Sequence, residues 1–230
     1  MAVVVAGTLG SSRAATQGCP PEMALIDGRF CVDRYEAALE DLDEQGAPRG
    51  LHPHNRGVEG KRVRAVSRRG VVPQSYVSRD EAATACKGAG KRLCSGDEWQ
   101  RTCRGPGGSR YPYGERFRRG LCNEEGISPL RLLHGAQAPN DLRSMNDPRL
   151  AAVAGTVART GSFARCAGEE QVFDLVGNVH EWTSAPEGVF RGGYFLDTKT
   201  LGEGCGYATE GHGPAYHDYS TGFRCCADLQ

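Results

Sequence analysis

The chain has 230 residues, and its 28 Lys+Arg balance 28 Asp+Glu to a formal net charge of zero. That balance excludes the bulk positive charge of a nucleic-acid binder, and no apolar run approaches the ~20 residues of a membrane-spanning helix. An apolar fraction of 39% with 32 glycines describes a thin-cored, loop-rich globular chain.

Residues 1–18 read as a truncated export signal or a disordered leader: Ala2 to Gly7 is apolar and Arg13-Ala14-Ala15 resembles a cleavage site, but no basic stretch precedes it. Residues 19–230 then form a single domain. Short strands are expected at Phe30–Tyr35, Val63–Val66, Val172–Leu175, Phe190–Phe195 and Gly222–Cys226. Two helices are signalled by capping boxes. Ser78-Arg79-Asp80-Glu81 precedes Ala82, Ala85, Cys86 and Ala89 at helical spacing, and Ser95-Gly96-Asp97-Glu98 precedes Trp99, Thr102 and Cys103. Residues 120–168 read as long irregular loops. The fold class is α+β with little regular secondary structure.

Charge is unevenly spread. Residues 49–119 carry 17 basic against 6 acidic side chains, residues 166–230 carry 3 against 10, and residues 19–48 carry 2 against 8. An acidic layer of both ends packed beside a basic middle accounts for this.

The ten cysteines are evenly numbered, widely spaced and free of any Cys-x-x-Cys pair, which disfavours a zinc ribbon or a thioredoxin-like site. Five disulfides in an oxidising compartment, secreted or periplasmic, are the simpler expectation. Bridges across long loops offset a thin core by ~2–4 kcal/mol each.

Two stretches carry candidate chemistry. In Asp174-Leu175-Val176-Gly177-Asn178-Val179-His180-Glu181, two carboxylates bracket a glycine turn. This suits a hard cation needing 6–8 oxygens and equally an Asx-type turn beside a surface glutamate. The run Tyr216-His217-Asp218-Tyr219 is aromatic and polar, a composition that suits recognition surfaces, and it also suits a tyrosine-rich loop packed on the last strand. His212 and His217 with Asp197 or Asp218 have the ligand types of a two-histidine, one-carboxylate site, against the commoner reading of hydrogen-bonded surface histidines. His52-Pro53-His54 is a weaker case of the same kind. No nucleophile triad, phosphate loop or dinucleotide glycine pattern occurs.

From residue 78 onward the chain resembles the formylglycine-generating enzyme (sulfatase-modifying factor) family, a C-type-lectin-like fold. The resemblance lies in Lys91-Arg92-Leu93 leading to Glu98-Trp99, Tyr111-Pro112-Tyr113-Gly114, Gly177 to Trp182, Arg191-Gly192-Gly193 and Gly222-Phe223-Arg224-Cys225, in order over about 150 residues. It implies the bridges Cys86–Cys225 and Cys103–Cys205, and the six cysteines left over suggest Cys19–Cys31, Cys122–Cys166 and Cys94–Cys226, a pairing by bookkeeping rather than by geometry. It also implies structural calcium at Asp174, the carbonyls of Gly177 and Val179, and Glu181. A second calcium site would begin at Asn123, with further ligands among Asn140, Asp141, Asn146 and Asp147.

The chain departs from the family where copper binds. The stretch from Gly192 to Leu201 holds no cysteine, Tyr194 stands at the family's serine, and His180 stands where a tryptophan is usual. No copper is therefore expected. A ligand groove, if kept, is lined by Tyr194, Phe195, Asp197, His212, Tyr216, His217, Asp218 and Tyr219. The expected role is a calcium-stabilised binding or scaffold module for a protein, peptide or glycan; the alternative is a non-copper oxidoreductase of the same superfamily.

Overall fold

The computed structural model describes residues 18–138 and 141–229, so the leader reading and Asn140 lie outside the described residues. In chain order the strands are β1 (Met23–Ile26), β2 (Phe30–Asp33), β3 (Ala37–Leu42), β4 (Pro48–Leu51), β5 (Val63–Ser67), β6 (Arg92–Leu93), β7 (His180–Trp182), β8 (Phe190–Arg191), β9 (Ala208–Thr209), β10 (Thr221–Phe223) and β11 (Cys225–Asp228). The helices are α1 (Arg79–Gly88), α2 (Gly96–Arg104), α3 (Pro129–His134) and α4 (Leu142–Met145). Three small sheets result, ordered β1-β2-β11-β6, β10-β7-β8-β9 and β4-β3-β5.

Both capping boxes form. The Ser78 and Ser95 hydroxyls accept from the amides of Glu81 and Glu98, whose carboxylates reach back to the cap amides. Ala82, Ala85 and Cys86 of α1 and Trp99, Thr102 and Cys103 of α2 are buried, as their spacing predicts. The β1–β2 hairpin turns on Asp27-Gly28, both at positive φ (52° and 64°), the geometry an Asp-Gly pair favours.

Three strand expectations are corrected. Residues 172–175 form no strand, because Asp174 adopts φ 61°; only an isolated Ala167–Phe173 bridge remains. The strand begun at Phe190 stops at Arg191, where Gly192 and Gly193 take φ values of 84° and 71° and turn the chain away. The C-terminal strand divides at Arg224, β10 joining one sheet and β11 another. The 120–168 segment is less irregular than its composition suggests, since Ser128 and Asp141 cap the short helices α3 and α4.

Two principal core clusters hold the layers. One packs Leu39, Val77 and Ala82 against Trp182 and Phe223; the other gathers Ile26, Val32, Trp99, Leu175 and Val176. Five disulfides pass through the interior: Cys19–Cys31, Cys86–Cys225, Cys94–Cys226, Cys103–Cys205 and Cys122–Cys166, of which Cys86–Cys225 and Cys103–Cys205 are the pairs that the resemblance implied. No free cysteine remains among the described residues.

Candidate functional site: two faces of one sheet

Strand β7 points His180 and Trp182 to one face of its sheet and Glu181 to the other, as the two-residue period of a strand requires. The two faces carry different chemistry.

On the Glu181 face lies a buried ion pair. Arg224 donates from Nε and Nη2 at 2.6 Å to the two carboxylate oxygens, and Trp99 Nε1 donates to Oε2 at 2.7 Å. Both partners of the pair are 1% exposed, so the alternative of a surface glutamate is corrected. The pair depends on parallel pairing of β10 with β7, which sets Gly222 beside Glu181. Two further buried carboxylates surround it. Glu36 accepts from Asn178 Nδ2 and from the Val179 amide, and Asp174 accepts from the Gly161 amide at 2.6 Å. Burial first, then the charges of Asp174 and Glu181, holds the Glu36 carboxyl well above the usual range, with Arg224 acting the other way. Burial likewise pushes Asp174 up to about 6.

The 174–179 loop folds as it does because Asp174, Gly177 and Asn178 all take left-handed backbone (φ 61°, 80° and 60°). At Gly177 there is also no room, since a Cβ would stand 2.1 Å from the Asn123 carbonyl oxygen. Asn123 braces the loop: its Nδ2 donates to Asn178 Oδ1 at 2.9 Å and to the Thr156 carbonyl at 2.8 Å.

Glu36, Asp174 and Glu181 share the charge of one guanidinium, and among the described residues no three His, Cys, Asp or Glu side chains gather as they would to hold a metal ion. Glu181 has three of its roughly four acceptor positions filled, and the one hydrogen bond described to the Asp174 side chain comes from Gly161. The second expected set is dispersed over other tasks. Asp141 caps α4, Asn146 Nδ2 donates to the His217 carbonyl, and Asp147 pairs with Arg149.

The opposite face is aromatic. The His180 ring lies 4.4 Å from Phe190, 4.8 Å from Tyr194 and 5.6 Å from Tyr207, centroid to centroid. His212 stacks on both Phe190 (5.4 Å) and Tyr216 (4.1 Å). Burial lowers the His180 pKa to about 3, Asp197 opposing and His212 adding to the shift, so the ring is neutral. Its Nδ1 is buried without a hydrogen-bond partner, and so is Thr209 Oγ1 on the same face of β9.

Of the eight expected groove residues, Tyr194, Asp197, His212 and Tyr216 surround this face and are partly exposed. Asp197 closes a turn with Tyr194 and accepts from the Tyr207 hydroxyl at 3.2 Å. Phe195 and Tyr219 instead turn inward and pack on Tyr76 and Leu150, so they belong to the core. Asp218 is buried and accepts from the Tyr216 hydroxyl at 2.6 Å and from Ser220. His217 lies apart, in a cleft of about 220 Å³ with Asn55, Tyr76 and Asn146. The two-histidine metal reading is therefore not assembled: among the described residues no three His, Cys, Asp or Glu side chains gather to hold a metal ion. Sequence reasoning missed Phe190, Tyr207 and Thr209, and noted His180 only as a departure from the family pattern.

The sulfatase-modifying factor enzyme 1-like domain family matches residues 1–229, and the chain belongs to this family. Solved structures with the same C-type-lectin-like architecture include PvdO from Pseudomonas aeruginosa, 16% identical with a TM-score of 0.52, covering 87% of this chain and 80% of that one. They also include the I1 variant of the major tropism determinant, 15% identical with a TM-score of 0.51, and the U1 variant, 16% identical with a TM-score of 0.50. This chain aligns over 92% and 93% of its own length to 53% and 54% of theirs, so it spans about half of the tropism determinants it matches. No helix of the described residues is long and apolar enough to cross a membrane.

Proposed function

We propose that this domain is an exported, calcium-stabilised binding module whose recognition surface is the aromatic face of the β10-β7-β8-β9 sheet. The observation that carries this reading is His180 Nδ1, buried and unpartnered on the face where the partly exposed Tyr194, His212 and Tyr216 stand. A buried polar atom left unpaired costs ~1–3 kcal/mol, and a ligand that hydrogen-bonds there removes the cost while stacking on the rings. Such a surface suits a peptide or glycan. The likeness in fold to a tropism determinant supports binding over chemistry, and five disulfides support export to an oxidising compartment.

Calcium, in this reading, is held by Asp174, Glu181 and the carbonyls of Gly177 and Val179. Its contribution there is charge balance and a fixed loop behind the sheet.

The test is binding to immobilised glycan and peptide arrays by the wild-type domain and by His180→Phe. Loss of the wild-type signals in the variant supports the reading; equal signals in both overturn it. Stoichiometric uptake of a redox metal by the purified domain would also overturn it, in favour of the oxidoreductase alternative.

A further inference from the structure

On the Glu181 face, away from the aromatic rings, two arginines stand without carboxylate partners. Arg191 on β8 projects over the first residue of α2. A Cβ on Gly96 would lie 3.3 Å from its Nη2 and 3.4 Å from its Nε. Arg104 ends the same helix, eight residues on. Its Nη2 lies 3.6 Å from where a Cβ on Gly206 would sit. Arg92, Arg101 and Arg224, by contrast, each meet a carboxylate, whereas Arg104 and Arg191 form no ion pair among the described residues.

Arg191 is half-buried, and its Nε–H is fully buried without an acceptor. A guanidinium normally satisfies such a donor in parallel with the adjacent Nη, on the two oxygens of one planar or tetrahedral anion. The charged groups facing Arg191 are Asp97 and Glu210, which favour its charge, and Arg104, which opposes it. Asp97 and Glu210 are exposed, and neither reaches the guanidinium in an ion pair. Arg191 stands beside Ala208 across the β8–β9 register, and Gly206 precedes that strand by two residues.

We propose that Arg104 and Arg191 form a binding site for an oxyanion group, a sulfate, phosphate or carboxylate, between α2 and the β8–β9 edge. The anion accepts from Nε and Nη2 of Arg191 on one side and from Arg104 on the other. Because the site lies on the opposite face of the sheet from the recognition surface, the two readings stand or fall separately.

The test follows the Arg191 Nε–H resonance by NMR while sodium sulfate replaces sodium chloride at constant ionic strength. Phosphate and acetate arms separate a tetrahedral from a planar preference. A saturable shift of Arg191 Nε–H is expected, with affinity weakened about tenfold in Arg104→Gln, the loss of one charge-assisted hydrogen bond. Arg104 is partly exposed at a helix end, so this variant keeps the test valid if Arg191→Gln fails to fold. A shift that does not saturate with any of the three anions, or that survives unchanged in Arg104→Gln, overturns the proposal. A free-protein resonance that moves in Asp97→Asn or Glu210→Gln, showing Arg191 already paired in solution, overturns it as well.

Discussion

Glu181 and Arg224 face each other across 43 residues of sequence as a bidentate pair, at 2.6 Å through both contacts, with almost no solvent on either. Removing one partner of such a pair leaves a buried charge alone, which costs ~3–5 kcal/mol whatever else binds nearby. Glu181→Ala is therefore expected to destabilise the domain in calcium and in chelator alike. Asp174→Asn removes a carboxylate that has no basic partner, so it is expected to lower the melting temperature in millimolar calcium and change it little in chelator. Thermal unfolding of both variants with and without calcium checks this. A wild-type melting temperature indifferent to calcium would remove the ion from the account.

The disulfides differ in what they close. Cys86–Cys225 spans 139 residues and Cys19–Cys31 spans 12. On the chain-entropy view, replacing the first pair by serines costs about 2 kcal/mol more than replacing the second. Denaturant titration of the two double variants measures the difference. Alkylation of the denatured, unreduced protein followed by intact mass is expected to find no free thiol.

Gly177 takes φ 80° against the Asn123 carbonyl. Gly177→Ala must strain its backbone and also displace that carbonyl, so a loss of ~3 kcal/mol or more is expected in chemical denaturation. Gly60, with φ 68° and no heavy atom within 4 Å of its Cβ position, is the control, and Gly60→Ala is expected to cost ~1–2 kcal/mol from the backbone alone.

His54 is half-buried, and burial lowers its pKa, with the charge of Arg159 acting in the same direction. The unfolded chain therefore binds the proton more readily. The stability contributed by neutral His54 is full above the ordinary value near 6.5 and is lost as pH falls below it, toward its lower folded value. His54→Gln is expected to flatten the stability profile between roughly pH 7 and 5. The effect is small, because water still reaches part of the ring.

How far the sequence discloses this architecture depends on the range of the signal. The capping boxes at Ser78 and Ser95 are local, and both helices begin where those boxes say. Asp27-Gly28 is an equally local hairpin signal, between strands of only four residues each. The Val172–Leu175 run misled because burial alone made it resemble a strand, whereas Asp174 turns the chain within it. The site was legible as residue types in a loop. Pairing Arg224 with Glu181 was not, because it needs the parallel β10–β7 contact that no local pattern encodes. The same holds for Phe190 and Thr209, which share the His180 face through cross-strand register.

Cys225 and Cys226 are adjacent, and through them the last strand reaches back to Cys86 and Cys94. With Cys103–Cys205, three of the five bridges tie the middle of the chain to its final quarter. During synthesis, Cys86, Cys94 and Cys103 emerge long before their partners and lie within 17 residues of one another, free to pair wrongly. Folding is thus set to wait for the C-terminus, and a cell making this domain needs a catalyst of disulfide exchange more than a fast oxidant.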